Sequence, residues 1–215
     1  MLDKLTRARF APWLDRPAAL LLRVGLTPDA VTMLGTLGVC VGALVFFPLG
    51  ELAWGVAFIT LFVFSDNLDG AMARLSGRTG KWGSFLDSTL DRVGDGAIFT
   101  GLALAYAGTG ELEMVGVTLA CLVLGGVVSY ARAKAESLGF RANVGVAERA
   151  DRLVSTLVAA FLAGLGVPYV LEVVLWALAT LSLVTVVQRM VLVHRQARPG
   201  PAADTEGSAD RSADG

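Results

Sequence analysis

Six long apolar stretches constrain the fold of this chain more than any other feature of its sequence. They cover roughly residues 29–48, 52–74, 83–107, 113–137, 149–166 and 169–192. A helix needs about 20 mostly apolar residues to cross a bilayer, and each stretch is close to that length. Backbone groups in lipid must pair within the segment, which favours helices. The sequence therefore predicts an all-α integral membrane protein with six transmembrane helices.

The composition supports this class. The chain has 215 residues, of which 54% are hydrophobic and 17% are charged. Soluble domains are nearer 45–50% apolar and about 25% charged. Cys40 and Cys121 each lie inside an apolar stretch, outside any CxxC or Cys/His pattern, so we interpret them as packing residues. No nucleic-acid partner is expected.

The connections between the stretches alternate in charge. Those at 49–51, 108–112 and 166–168 contain no lysine or arginine. Nearly all basic residues lie in the N-terminal segment, the 75–82 loop, the 132–152 region and the C-terminal end. Because basic loops stay in the cytoplasm, both termini are predicted to be cytoplasmic, in a multi-pass protein of the plasma membrane.

Three segments follow along the chain. Residues 1–26 alternate basic and apolar side chains without the clean apolar core of a cleavable signal peptide, which predicts an interfacial amphipathic segment. Residues 27–196 form the six-helix domain, in which Thr27 is predicted to cap the first helix. Residues 197–215 are rich in Ala, Asp, Pro, Gly and Ser, which predicts a disordered tail. The Gly38-x3-Gly42 pattern permits close helix approach and is weak evidence for a dimer face.

Four aspartates interrupt the second and third apolar stretches: Asp66, Asp69, Asp87 and Asp91. Residues three and four apart share one face of a helix, so each stretch presents a pair of carboxylates. Carboxylates are costly in a bilayer, so a cluster of them indicates a functional site. Two such helices facing each other provide oxygen ligands for hard divalent cations.

The small and basic residues between the aspartates fit phosphate chemistry. Gly70 allows a ligand to approach the helix backbone, and Ala73 keeps the next turn narrow. Arg74 offers a planar fork to phosphate oxygens. Gly83 is predicted to let the two aspartate-bearing helices pack closely. Two metals about 3.5–4 Å apart can clamp the attacking and leaving oxygens of a phosphoryl-type transfer.

Other uses of membrane carboxylates stay open from these residues alone. An aspartate can pair with an arginine for structure, and Arg74 and Arg92 are close in sequence. A chain of carboxylates can also carry ions or protons through a transporter. Four aspartates at helical spacing beside the cytoplasmic boundary fit these alternatives less well than they fit a metal site.

The complete pattern resembles the signature of the CDP-alcohol phosphotransferase family. It runs Asp66-x2-Asp69-Gly70-x2-Ala73-Arg74-x8-Gly83-x3-Asp87-x3-Asp91, and every fixed position of the signature is present. The resemblance extends over essentially residues 1–195. It implies a homodimeric membrane enzyme that moves a substituted phosphate from a CDP-linked donor to an alcohol and releases CMP. It also implies a cytoplasm-facing site with two Mg²⁺ ions, or Mn²⁺.

The resemblance assigns roles by position. Asp66, Asp69, Asp87 and Asp91 are the implied metal ligands, and Asp91 is also the implied general base. The residues implied to bind the donor are Asp29, Thr32, Gly70, Ala73, Arg74 and Gly80. Helix capping is the simpler role for Asp29 and Thr32. At Gly80 relatives often have a hydroxyl residue, and the adjacent Thr79 is a substitute.

A second group of residues bears on the acceptor alcohol. Five bases are predicted to converge beside the metal site: Arg132, Lys134, Arg149, Arg152 and Arg189. They suit an acceptor that carries its own phosphate, although anchoring to anionic lipid headgroups is the plainer explanation. The segments around residues 26–29, 129–136 and 148–153 resemble family members whose donor is CDP-diacylglycerol and whose acceptor is inositol 1-phosphate. Glycerol phosphate is the alternative acceptor.

Overall fold

The computed structural model describes residues 15–63, 65–77, 80–145 and 149–198, with only the backbone described at residues 65–67. This part of the chain is helical and contains no strand, which confirms the all-α prediction. Residues 15–23 form a helix, α1. The other helices are α2 (Pro28–Val41), α3 (Leu52–Val63), α4 (Ser65–Leu75), α5 (Lys81–Thr109), α6 (Leu112–Ser137), α7 (Arg149–Gly164) and α8 (Val170–Ala197). A π-helical turn, Gly42–Phe46, extends α2. Most of the predicted amphipathic segment and of the polar tail lies outside the described residues.

Helices occupy all six predicted stretches, with α3 and α4 sharing the second. Within the described residues, four helical segments are long and apolar enough to cross a membrane: Pro28–Phe46, Leu52–Leu75, Leu112–Ser137 and Val170–Ala197. Helix α5 is charged in its first half, and α7 has only 16 residues. The membrane-helix prediction is therefore confirmed for four of the six stretches by length and composition.

Local signals set the ends of these helices. As predicted, Thr27 caps α2: its side chain accepts a hydrogen bond from the Ala30 amide at 3.2 Å. Pro28 occupies the first turn of the helix. Helix α5 ends at Gly110, whose φ of 81° is in the left-handed region that glycine tolerates best. The following helix therefore turns back at once, beginning at Leu112.

The small-residue pattern in α2 packs inside the protein. A Cβ added at Gly38 would lie 2.2 Å from the Phe62 ring, and one at Gly42 would lie 2.7 Å from Ile59 Cγ1. Both neighbours belong to α3 of the same chain. The pattern thus brings α2 and α3 together, and the suggestion that it forms a dimer face is wrong for this surface.

The main apolar core fills the middle of the bundle and the end remote from the aspartates. Phe47 is fully buried there between two glycines, Gly55 of α3 and Gly101 of α5. A Cβ added at Gly101 would lie 2.3 Å from the Ala43 carbonyl oxygen, so α5 contacts the π-helical turn directly. This packing holds α5 against α2 and so positions the aspartates at its other end.

A smaller apolar cluster holds α1 against the site helices. It consists of Ala18 from α1, Val31 from α2, and Ala71 and Met72 from α4. Ala18, Ala71 and Met72 are fully buried. This cluster places the beginning of α2 beside the aspartate-bearing α4.

Candidate active site

The beginning of α2 meets the aspartate of α4 directly. The Thr32 hydroxyl donates a hydrogen bond to Asp69 Oδ2. Its oxygen also lies 3.1 Å from the Pro28 carbonyl, one turn earlier in α2. Thr32 therefore joins the turn predicted to contact the nucleotide to a predicted metal ligand. The side chain of Asp66, one turn before Asp69, is not described.

A cavity of about 520 Å³, here called the motif cavity, lies between α2, α4 and the beginning of α5. It is lined by Thr27, Pro28, Asp29, Thr32, Asp69, Gly70, Ala73, Gly80, Trp82, Gly83, Ser84 and Asp87. The structure thus brings together every residue predicted for the donor except Arg74. Arg74 is exposed, with Nη1 3.6 Å from a Cβ built at Gly70, so its guanidinium lies over the glycine.

Gly83 has a different role from the predicted one. A Cβ added at Gly83 would meet no atom of the described residues within 4 Å, and Gly83 lines the motif cavity. The prediction that Gly83 lets the two aspartate-bearing helices pack closely is therefore wrong. Because Gly83 has no side chain, it widens the cavity and leaves room for a ligand.

Trp82 is a residue that the sequence analysis missed. Its indole Nε1 donates a hydrogen bond to Asp29 Oδ2 at 3.0 Å, across 53 residues of sequence. The contact joins the beginning of α5 to the beginning of α2 along the wall of the motif cavity. An indole in the first turn of α5, between Lys81 and the small residues Gly83 and Ser84, was the available signal.

A small cavity of about 40 Å³, here called the junction cavity, continues from the motif cavity, with which it shares Asp87 and Thr32. It also touches Asp91, Asp95 and Arg149. The last three residues line a larger cavity beyond it as well. Asp87 and Asp91 thus lie along the junction between two larger spaces, which is where a group passing between two ligands would be.

The larger space, here called the basic cavity, has a volume of about 780 Å³ and lies between α5, α6, α7 and α8. Its lining includes Arg92, Arg132, Arg149, Arg152 and Arg189. Four of these are bases predicted to bind the acceptor, and Arg92 is an addition. The fifth predicted base, Lys134, is exposed and does not line this cavity.

Arg149 is engaged by two carboxylates of α5. Its Nη1 lies 2.9 Å from Asp91 Oδ2, and its Nη2 lies 3.1 Å from Asp95 Oδ1. The Nε atom donates to Asp95 Oδ2 at 3.2 Å. Arg149 therefore links the beginning of α7 to the part of α5 that carries Asp91 and Asp95.

Arg152 and Arg92 present unsatisfied donors at the basic cavity. The Arg152 side chain is 4% exposed and packs against Gly125, where a Cβ would lie 3.3 Å from its Cζ. Arg152 Nη1 and Arg92 Nε are buried without a hydrogen-bond partner in the described part of the chain. Buried donors of this kind are costly unless an acceptor satisfies them, and a phosphate oxygen is such an acceptor.

Arg189 and Arg132 are tied more closely to protein groups. Arg189 Nε donates to the Val144 carbonyl at 2.9 Å, and its Nη1 donates to the Val128 carbonyl. Arg189 is 5% exposed, so it joins α8 to α6 and to the connection after α6. Arg132 pairs with Glu136 at 2.9 Å at the exposed rim.

The carboxylate oxygens of the aspartates are ligands that suit a hard divalent cation. Asp69, Asp87 and Asp91 supply carboxylate oxygens from two helices, and Asp87 and Asp91 are close enough to repel the charge of Asp69. Among the residues whose side chains are described, no group of three or more His, Cys, Asp or Glu is arranged tightly enough to hold a metal ion. Asp66, the fourth carboxylate, lies outside that set.

The fold, the aspartate motif and the two cavities define a class of protein. The family model described as CDP-alcohol phosphatidyltransferase matches residues 25–188, and this chain belongs to that family. Membership favours the transferase interpretation over the transporter alternative.

Curated relatives and solved structures narrow the likeness further. The chain is 54% identical to a phosphatidylinositol phosphate synthase of Streptomyces avermitilis, over 94% of this chain and 86% of that protein. It is 50% identical to that of Cutibacterium acnes, over 88% of this chain and 96% of the relative. It resembles the crystal structure of the Mycobacterium tuberculosis phosphatidylinositol phosphate synthase with CDP-DAG bound, at 40% identity and a TM-score of 0.80, covering 93% and 98% of the two chains. A second structure of that enzyme, in complex with manganese and citrate, has a TM-score of 0.81 and 41% identity, covering 93% of each chain.

Proposed function

We propose that this chain transfers the phosphatidyl group from CDP-diacylglycerol to inositol 1-phosphate, releasing CMP and forming phosphatidylinositol phosphate. The observation that carries the proposal is the placement of Asp87 and Asp91 between a cavity lined by the family motif and a cavity lined by arginines. The names of the relatives agree with this pair of substrates.

The motif cavity is the proposed site for the cytidine and pyrophosphate of the donor. Asp29 and Thr32 face it from α2, and Gly70, Ala73 and Gly80 leave room along its walls. Arg74, at its edge, supplies positive charge for the pyrophosphate. The Trp82 hydrogen bond holds the Asp29 carboxylate in place, so that the site is ordered before the donor binds.

The basic cavity is the proposed site for the acceptor alcohol. Arg152, with Arg92 and Arg189 beside it, offers charge-assisted hydrogen bonds to the phosphate of the acceptor. Arg132, Lys134 and Arg149 add positive potential around the cavity. An acceptor held by its phosphate on this side presents its hydroxyl toward Asp91.

We assign the proton transfer to Asp91. The Asp91 carboxylate removes the proton from the acceptor hydroxyl, and the hydroxyl oxygen forms a bond to the β-phosphorus of the donor. The bond between that phosphorus and the bridging oxygen breaks, and the electron pair leaves with CMP. Asp66, Asp69, Asp87 and Asp91 are the proposed ligands of two divalent cations. Bound Mg²⁺ or Mn²⁺ neutralises negative charge on the pyrophosphate and on the leaving CMP.

The membrane arrangement is part of the proposal. We infer six spans within residues 27–196, an interfacial segment at 1–26 and a polar tail at 197–215. The aspartates and both termini face the cytoplasm of a plasma membrane, because the basic connections lie at that end. A homodimer is proposed from the family resemblance, with an interface other than the Gly38 and Gly42 face.

An acceptor panel tests the proposal. Purified protein is incubated with CDP-diacylglycerol, Mg²⁺ or Mn²⁺, and either inositol 1-phosphate, glycerol 3-phosphate, inositol or serine, and CMP release is measured. We expect release with inositol 1-phosphate, its loss on chelation of the metal, and none from Asp91→Asn. Release with glycerol 3-phosphate alone would change the acceptor to the alternative. No metal-dependent release with any of the alcohols would refute the transferase assignment.

A further inference from the structure

Asp95 lies one helical turn beyond Asp91 on α5, outside the aspartate motif. Its side chain is 16% exposed, and it lines the junction cavity and the basic cavity but not the motif cavity. A largely buried carboxylate is costly unless it is paired with a cation, so its partners show what it does. Nothing in the donor or acceptor assignment uses it.

The contacts of Arg149 indicate that role. Its fork is divided between two carboxylates: Nε and Nη2 contact Asp95 at 3.2 Å and 3.1 Å, and Nη1 contacts Asp91 at 2.9 Å. Nη2 also lies 3.4 Å from the Asp91 carbonyl oxygen, so Asp95 and Asp91 share one cation that both attract. Arg92 is shared in the same way, with Nη2 3.7 Å from Asp95 and 3.9 Å from Asp91.

We propose that Asp95 is a positioning residue that holds Arg149 away from full pairing with Asp91, so that the Asp91 carboxylate stays available to the metal and to the acceptor hydroxyl. The inference rests on the proposed function, because it needs Asp91 as metal ligand and base. Without the Asp95 charge, Asp91 is the one carboxylate among the described side chains with which Arg149 forms an ion pair. The pair then competes with the divalent cation for the same carboxylate.

The proposal is distinct from two plainer roles. If Asp95 were itself a metal ligand, its loss would weaken metal binding whatever residue stood at position 149. If Asp95 only supported the fold, the losses from changing Asp95 and Arg149 would add. The positioning role predicts instead that removing Arg149 largely cancels the effect of removing Asp95, because the guanidinium that pairs most closely with Asp91 is then gone.

Manganese binding measures this competition without reference to turnover. Free Mn²⁺ is measured by electron paramagnetic resonance in purified wild type, Asp95→Asn, Arg149→Gln and the double variant. A coupling of roughly 1 kcal/mol predicts that Asp95→Asn weakens Mn²⁺ binding about fivefold. Arg149→Gln is expected to bind Mn²⁺ at least as tightly as wild type, and the double variant within about twofold of it. The matched control, Asp151→Asn, changes an exposed carboxylate of α7 and leaves binding unchanged.

If Asp95→Asn does not fold, a second variant, Arg149→Lys, tests the same competition. Arg149→Lys keeps a positive charge beside Asp91, but its single ammonium group cannot make the bidentate contact with Asp95. This variant is therefore expected to weaken Mn²⁺ binding, and Arg149→Gln is not. Equal Mn²⁺ binding by wild type and Asp95→Asn would overturn the positioning role. A double variant as weak as Asp95→Asn would also overturn it and make Asp95 a ligand. Absence of Mn²⁺ binding by wild type would refute the metal assignment itself.

Discussion

Replacing Arg152 by methionine separates substrate binding from stability. Arg152 is 4% exposed, and its Nη1 has no hydrogen-bond partner within the described residues. A charge-assisted hydrogen bond to a phosphate contributes about 1.5–3 kcal/mol, so losing it should raise the KM for inositol 1-phosphate about 10- to 150-fold. The KM for CDP-diacylglycerol should change little, because Arg152 does not line the motif cavity.

The stability of the substrate-free protein should respond in the opposite sense. A buried guanidinium with an unsatisfied donor costs free energy, and an apolar side chain of similar length removes that cost. The apparent Tm of Arg152→Met is therefore expected to equal or exceed that of wild type, measured by thermal scanning in detergent. Methionine also keeps the contact with Gly125 filled.

Two control variants, one at an arginine and one at a lysine, show whether the change in KM is specific to Arg152. Arg195→Met removes an exposed base at the end of α8, outside the basic cavity, and should leave the acceptor KM unchanged. Lys134→Met should raise that KM less than Arg152→Met, because an exposed charge is screened by water. A lower Tm with an unchanged acceptor KM in Arg152→Met would refute the reasoning, since Arg152 would then be structural.

Three further substitutions test separate parts of the site and fold. Asp91→Asn should lower kcat at least about 100-fold while CDP-diacylglycerol binding persists, measured by turnover and by equilibrium binding; equal losses would make Asp91 chiefly structural. Gly80→Ser adds a hydroxyl on extended backbone with no atom of the described residues within 4 Å of its Cβ, so the donor KM should fall about 2- to 10-fold. A rise in the donor KM would exclude Gly80 from the donor contact. Gly101→Ala should destabilise by about 1–3 kcal/mol and lower the Tm, because its Cβ meets the Ala43 carbonyl. Gly96→Ala on the same helix is the control, because its Cβ meets no described atom within 4 Å; equal Tm values of the two variants would contradict this packing.

Features governed by local spacing could be predicted from the sequence. The fourth stretch was expected at 113–137 and the helix is Leu112–Ser137, because apolar length and glycine breaks determine its ends. The spacing of Asp87 and Asp91 likewise predicted one helix face, and both residues line the junction cavity. The Thr27 cap followed from residue type alone.

Features that depend on contacts between distant residues could not be predicted. The hydrogen bond from Trp82 to Asp29 joins residues 53 positions apart, and no local pattern specifies it. The role of Gly83 depends on what faces it, which is a cavity and not a helix. Arg149 lines the basic cavity as predicted, but its contact with Asp95 of α5 could not be predicted, because only folding brings the two residues together.

In the proposed mechanism, donor and acceptor occupy two cavities at once, on either side of Asp87 and Asp91. Isotope exchange tests whether both substrates are bound together when the phosphatidyl group moves. Labelled CMP is incubated with the protein, Mn²⁺ and unlabelled CDP-diacylglycerol, with and without the acceptor. Direct transfer between two bound substrates predicts no label in CDP-diacylglycerol until phosphatidylinositol phosphate is present to reverse the reaction. Rapid exchange in the absence of any acceptor or product would contradict the account, because it requires a phosphatidyl group held covalently by the protein.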